Sequence, residues 1–398
     1  MAKAVTAMSE AGDATGGVAL AEPPSSAPTV RIPALGDLAV NLGPRSHRYL
    51  PEVLAEAGPL LEVGVALGLT VAGRIAVGNG PIAGVAASRD GRRLVVTNYG
   101  DDSISVINLA AGRVAATLTG LPEPFTVAAD EADEARVYVG VASAGYDAVA
   151  AIDLDSGTAV AGYPLAGSVR DLAGSPDGKL LFTSRIGADG ADVVVLDTTT
   201  EQAQAIDLAV PPGAVAENLA VSPDGQRLYV AIQRPDGSGL AVIDTAARRV
   251  LDTIEIGSPI RGLALNHDGG ILYVASCDPD LGAMIDVVDT RAAVITGSLE
   301  IGSPDAVTQL LLSNDGARAY LVTGAGVTVM STLTHDVIGA VALDAQPSCV
   351  AESADGSHLY VADHAGAVTV VSIALTTASL VGEVADRPEL FELEPVLV

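Results

Sequence analysis

One ten-residue stretch is written seven times along the chain, and it constrains the fold more than any other feature. Its clearest copy is Val221-Ser222-Pro223-Asp224-Gly225-Gln226-Arg227-Leu228-Tyr229-Val230. An apolar strand ends at Ser222. Pro223 presets φ, Asp224 bonds its own backbone two residues on, and Gly225 takes positive φ at no steric cost. Leu228-Tyr229-Val230 opens a second strand, so the unit is a β-hairpin. The turn aspartates are Asp90, Asp133, Asp177, Asp224, Asp268, Asp315 and Asp355, at spacings of 43, 44, 47, 44, 47 and 40 residues. Five residues after each comes a bulky strand residue: Val95, Tyr138, Phe182, Tyr229, Tyr273, Tyr320 and Tyr360.

A fixed period of roughly 40–50 residues marks a solenoid, a propeller or an array. Helical repeats do not fit, because the apolar runs are short, β-branched and broken by Gly, Pro or Asp. The fourth copy reads as four strands: Val215–Val221, Arg227–Ile232, Leu240–Asp244 and Arg249–Ile256. Four short antiparallel strands per repeat make a propeller blade. A lone blade exposes two faces, whereas a closed ring buries both faces of every copy. The expected fold is all-β: a seven-bladed β-propeller with four antiparallel strands per blade and a mostly irregular N-terminal extension.

Three segments of the fourth copy carry a family resemblance: Ser222–Val230, Leu240-Ala-Val-Ile-Asp-Thr245 and Asp252-Thr-Ile-Glu-Ile-Gly-Ser-Pro259. The next copy repeats them as Leu272-Tyr-Val-Ala275, Asp286-Val-Val-Asp-Thr290 and Gly297-Ser-Leu-Glu-Ile-Gly-Ser-Pro304. Over residues 71–373 the chain resembles the YVTN family of seven-bladed β-propellers. The resemblance implies the fold. It leaves function open, since similar proteins include binding modules, electron-transfer partners and lactonase relatives. Some copies depart from the pattern. The second turn, Asp130-Glu-Ala-Asp-Glu-Ala135, lacks the glycine, and the sixth and seventh copies lose the Ile-Asp-Thr ending. Distorted blades are expected there.

The repeat overrides a length prior of two or three domains for 398 residues. Residues 1–58 carry none of it and form an N-terminal extension; residues 59–398 are the propeller. Residues 1–28, rich in Ala, Gly, Ser and Pro, read as a disordered arm, and residues 51–57 as a short helix. No apolar core follows a basic start, so no standard secretory signal is expected. The protein is placed in the cytoplasm, or exported by a route without such a signal. Glu62, Gly64 and Gly68 interrupt the apolar run 60–70, so no membrane span is expected.

Gly73-Arg-Ile-Ala-Val-Gly78 precedes the first hairpin as Thr253-Ile-Glu-Ile-Gly257 precedes the fifth. It is an outer strand whose own blade is missing at the N-terminus. Residues 74–77 are therefore expected to complete the last blade and clasp the ring, with residues 379–384 as the rival closing strand.

Net charge is −28. Such a surface repels phosphate backbones, so nucleic acid and anionic membranes are poor partners. Only two Lys stand against nineteen Arg, and with abundant Ala and Gly this points to a GC-rich bacterial genome such as an actinobacterium's. Cys277 and Cys349 fall in the fifth and seventh blades, too far apart for a disulfide, so free thiols are expected.

The loops joining second to third strands differ from blade to blade, and variable loops on a repetitive scaffold are where binding lives. Register places Ala83, Phe125, Arg170, Glu217, Arg261, Thr308 and Ser348 around the channel mouth on that face. Arg170, Glu217 and Arg261 come from consecutive blades, and Arg185, Arg234 and His364 enter from neighbouring loops. Several arginines suit a carboxylate or phosphate through bidentate pairing. The alternative is a structural network in which Arg170 and Arg261 bridge Glu217 and Asp171.

His364 beside Asp363 lacks a nucleophile, and His47, His335 and the cysteines lack metal-ligand spacing. Asp278, Asp280 and Asp286 have the oxygen ligands calcium takes, but such segments are commonly plain loops. No phosphate loop, serine elbow or CxxC occurs. The expectation is a non-catalytic, monomeric scaffold without cofactor or metal, binding a protein partner or a small anionic ligand on the variable-loop face. A lactonase-like hydrolase with a site at the channel mouth is the alternative, and an exported redox partner a third possibility.

Overall fold

The structure is a computed structural model, and it describes residues 30–31, 62–63, 66–142, 147–187, 190–278, 280–301 and 307–376. The chain divides into two units, Met1–Gly64 and Val65–Val398. In the first, Val30–Arg31 pairs antiparallel with Glu62–Val63. The expected disordered arm, short helix and rival strand 379–384 lie outside the described residues.

The second unit is the seven-bladed propeller. In blades 1 to 6 the four strands follow one another in sequence, each antiparallel to the last. Blade 4, for example, is Val215–Val221, Arg227–Arg234, Gly237–Asp244 and Arg249–Gly257, innermost to outermost. Blade 7 takes Pro347–Glu352, His358–Asp363 and Ala367–Thr376 from one end of the chain and its outermost strand, Ala66–Ala76, from the other. The clasp therefore forms, over a longer strand than residues 74–77. Arg74 Nη2 donates to the buried Asp363 at 2.8 Å, and Asp363 also accepts the amides of Ala365 and Ala367 at 2.9 Å.

The core is seven separate apolar layers, one between each pair of neighbouring blades. Phe182, Val193, Leu228 and Val230 fill the layer between blades 3 and 4. Ile75, Ile82, Leu94 and Val368 fill the layer where blade 7 meets blade 1. Both faces of each sheet are thus covered, and Val, Ile, Leu and Ala do most of the filling, as a chain without Trp requires.

The repeated turn is a small hydrogen-bonded unit. Ser222 Oγ donates to Asp224 at 2.5 Å and accepts from the Arg227 amide at 2.8 Å, while Asp224 accepts the Gln226 amide at 3.0 Å. The same Ser–Asp pair occurs at 88/90, 175/177, 313/315 and 353/355. The turn glycines sit at φ between +66° and +70°. They also abut the preceding blade: a Cβ on Gly178 would lie 2.4 Å from Ala132 Cβ, and one on Gly91 2.8 Å from Ala354 Cβ. Glycine is required for conformation and for clearance together.

The expected distortions are confined to one turn. Blade 2, which lacks the glycine, uses the buried Asp130, whose carboxylate accepts the amides of Ala132 and Asp133 and the Tyr138 hydroxyl. Blades 6 and 7 remain regular four-stranded sheets. Blade 6 keeps the threonine that matters: Thr332 Oγ1 caps the Gly316 carbonyl at 2.6 Å, as Thr245 caps Gly225. Cys277 and Cys349 are free thiols, and burial pushes Cys349 up to about 12.

Candidate functional site

The innermost strand of every blade slips register once against its neighbour. In blade 3 Val169 faces Arg185 and Asp171 faces Ser184, so one extra residue is accommodated. The slip recurs in all seven blades. Ala83, Phe125, Arg170, Glu217, Arg261, Thr308 and Ser348 each fall inside it. Bulges re-aim side chains, and these sit at the loop-face end of the strands that line the channel.

The residue after the slip ties blade to blade at three junctions, 2 to 3, 3 to 4 and 6 to 7. Asp171 accepts the Leu219 amide of blade 4 at 2.9 Å and, from blade 2, the Thr126 hydroxyl at 3.5 Å. Gln309 accepts the Val350 amide of blade 7 at 2.6 Å. Where backbones come too close for a side chain the residue is Gly262, whose Cβ would lie 2.7 Å from Leu310 N. Arg170 and Glu217 therefore stand beside strands fastened to each other through Asp171.

Arg170 and Arg261 are exposed and Glu217 is half-buried. Among the described residues neither guanidinium makes an ion pair, so the network in which they bridge Glu217 and Asp171 does not form. Arg185 is occupied differently: its Nε and Nη2 grip Asp192 at 2.7 and 2.6 Å. Arg234 pairs with Glu255, with Asp236 at 3.5 Å. His364 is exposed, and its amide donates to the Gln346 carbonyl. The structure thus brings Arg170, Glu217 and Arg261 onto consecutive channel strands, while Arg185 and Arg234 have their charge met within their own blades.

Asp171 is a member of this region that the arginine pattern does not single out. Burial, its largest influence, pushes the carboxyl up to about 6 against its hydrogen bonds from Leu219, Leu172 and Thr126, and the Glu217 charge adds to the rise. The Asp278 carboxylate serves its own loop, accepting the amides of Asp280 and Leu281, while Asp286 accepts the Ser298 hydroxyl. The calcium arrangement does not assemble among the described residues.

A cavity of about 550 Å³ occupies the other end of the channel, beside the Asp-Gly turns. Innermost strands of blades 2 to 6 line it, through residues such as Ala128, Ala173, Leu219, Leu263 and Leu310. Reasoning from loop variability passes over it, because these positions are short apolar strand residues in every copy.

No protein-family model matches the chain. It is 42% identical over 350 residues to the Seven-bladed beta-propeller protein Rv1057 of Mycobacterium tuberculosis (strain ATCC 25618 / H37Rv), covering 80% of this chain and 88% of the relative. The chain belongs to this family of seven-bladed β-propeller proteins. A solved structure, the Kuenenia stuttgartiensis hydrazine synthase, superposes on this propeller with a TM-score of 0.66 at 18% identity. That match covers 75% of this chain and 96% of the other, and is a likeness of fold alone. Among the described residues no helix is long and apolar enough to cross a membrane.

Proposed function

We propose that this propeller is a non-catalytic binding scaffold whose loop-face channel mouth takes a carboxylate- or phosphate-bearing ligand, free or carried by a partner protein. One observation carries the reading. Arg170 and Arg261 stand exposed at re-aimed positions on channel strands and make no ion pair among the described residues, in a chain of net charge −28. Arg170 on blade 3 and Arg261 on blade 5 flank the blade that carries Glu217, and planar guanidinium groups suit the paired oxygens of a carboxylate or phosphate. Glu217 between them sets a demand on the ligand, which must also offer a donor or tolerate a nearby negative charge.

The test is calorimetric titration of a panel of di- and tricarboxylates, inorganic phosphate and sugar phosphates. At least one should bind saturably. Arg170→Ala and Arg261→Ala should each weaken it by about tenfold, the cost of a charge-assisted hydrogen bond. Affinities identical in the double variant would remove the mouth from consideration.

A further inference from the structure

The seven slipped positions of the channel mouth differ in chemistry around the ring. Ala83 and Phe125 on blades 1 and 2 are apolar, and Thr308 and Ser348 on blades 6 and 7 carry hydroxyls. Those hydroxyls have local partners. Thr308 Oγ1 donates to the Val322 carbonyl at 3.4 Å, and Ser348 Oγ lies 3.6 Å from Cys349 Sγ. The three charged members stand together on blades 3, 4 and 5, in the order Arg170, Glu217, Arg261. Charge is thus the character of one sector of the mouth.

Glu217 is the member of this sector whose backbone is held on both sides. Its carbonyl accepts the Ser184 hydroxyl of blade 3 at 2.6 Å, and two residues on, the Leu219 amide donates to Asp171 of the same blade at 2.9 Å. Two bonds to one neighbouring blade thus bracket the slip that carries it. The side chain is half-buried, and among the described residues its carboxylate accepts no hydrogen bond and makes no ion pair. Its charge reaches Asp171 and adds to the rise of that carboxyl. The two acidic groups therefore interact, and neither has a cation paired with it among the described residues. A cation arriving from solution is favoured by both.

We propose that the mouth selects an acidic α-amino acid, a molecule with two carboxylates and one ammonium, and that Glu217 is the residue that recognises the ammonium. This selectivity rests on the anion reading of the mouth and sharpens it. The site offers two guanidinium groups with a carboxylate on the blade between them. The ligand offers the opposite charge for each, two carboxylates with an ammonium on the chain between. A plain dicarboxylate satisfies both arginines but sets a negative charge beside Glu217. An amino acid with a single carboxylate leaves one arginine unmatched. Like charges brought together, and charges left unmatched, are what discriminate at such a site. The three side chains are exposed or half-buried, so solvent screening holds each discrimination to about tenfold, well below that of a buried site.

Calorimetric titration of the full chain at neutral pH with matched pairs tests this. L-Glutamate is set against glutarate and L-aspartate against succinate, each pair differing by the amino group alone. The amines 4-aminobutyrate and 3-aminopropanoate, which lack the α-carboxylate, are the third comparison. At least one amino diacid should saturate one site, about tenfold tighter than its plain diacid and about tenfold tighter than its amine counterpart. Glu217→Gln keeps the shape of the side chain and removes its charge. It should leave the melting temperature unchanged, abolish the preference within the diacid pairs and tighten binding of the plain diacids. A plain diacid or an amine that binds wild type as tightly as its amino diacid overturns this inference and leaves the anion reading standing. So does a preference that survives in Glu217→Gln. Failure of every one of these carboxylates to bind removes both.

Discussion

The two rims of the propeller are made by the same seven hairpins and have opposite characters. On the Asp-Gly rim a serine, an aspartate and a glycine rebuild one hydrogen-bonded turn, and each turn glycine leaves room for the blade before it. On the loop rim the connections differ in every blade, and their polar groups serve local ends. Asp278 caps its own loop, Asp101 holds Asn79 and Asp102 holds the Glu123 amide. The difference teaches where the fold is fixed. Turns whose glycines abut the blade before cannot change without moving a neighbour, whereas loops anchored only at their ends are free to differ.

The comparison breaks most visibly at the seam. Removing residues 1–78 deletes the outermost strand of blade 7 and uncovers the layers that Leu67 and Ile75 help bury. A fall in melting temperature of more than about 10 °C is expected by calorimetry, from the loss of several kcal/mol of apolar burial in one blade. A drop of a degree or two would mean that the clasp is decorative.

Acidity sharpens the contrast between turn and channel wall. On the turn rim, hydrogen bonds from Ser353 and Ser357 pull Asp355 down to about 2. Its contribution is present above the usual carboxylate range and is lost as pH falls toward 2. In the channel wall Asp171 has the reverse sign. Its folded form holds a proton up to about 6, so stability falls as pH rises from about 4 to 6, by up to about 3 kcal/mol. A bell-shaped stability profile is expected from chemical denaturation across pH 2–8. Asp171→Asn should flatten its alkaline limb and leave the acidic limb in place.

Smaller still are single substitutions on the two rims. Gly178→Ala meets both a φ of +69° and the 2.4 Å approach to Ala132, and should cost about 2 kcal/mol in urea unfolding. Asp280→Ala on the loop rim, where the side chain is exposed, should stay within about 0.5 kcal/mol. Equal costs would erase the distinction between the rims.

Fold and blade number are legible in the sequence because they depend on turn chemistry that acts over five residues and recurs at a fixed period. The four strands of the fourth copy fall within two or three residues of their observed ends for the same reason. The candidate mouth is legible in part. Counting from the turn finds the slipped position in every innermost strand, since the slip lies at the same distance from the turn in each. Counting does not show which arginine is already taken. Arg185 faces Asp192 across its own hairpin and Arg234 meets Glu255 on the outermost strand, and those partners are set by pairing register.

What the chain determines by itself, then, is a blade: Ser, Asp and Gly fix the turn, alternating apolar residues fix two faces, and the count of copies fixes the ring. Only the tertiary structure decides that the clasp strand runs over Ala66–Ala76 rather than four residues, and that Gln309 and Asp171 fasten neighbouring blades. The reason is distance. Turn formation involves groups a few bonds apart, whereas ion pairs, cross-blade amides and clefts join residues that approach only after the circle has closed.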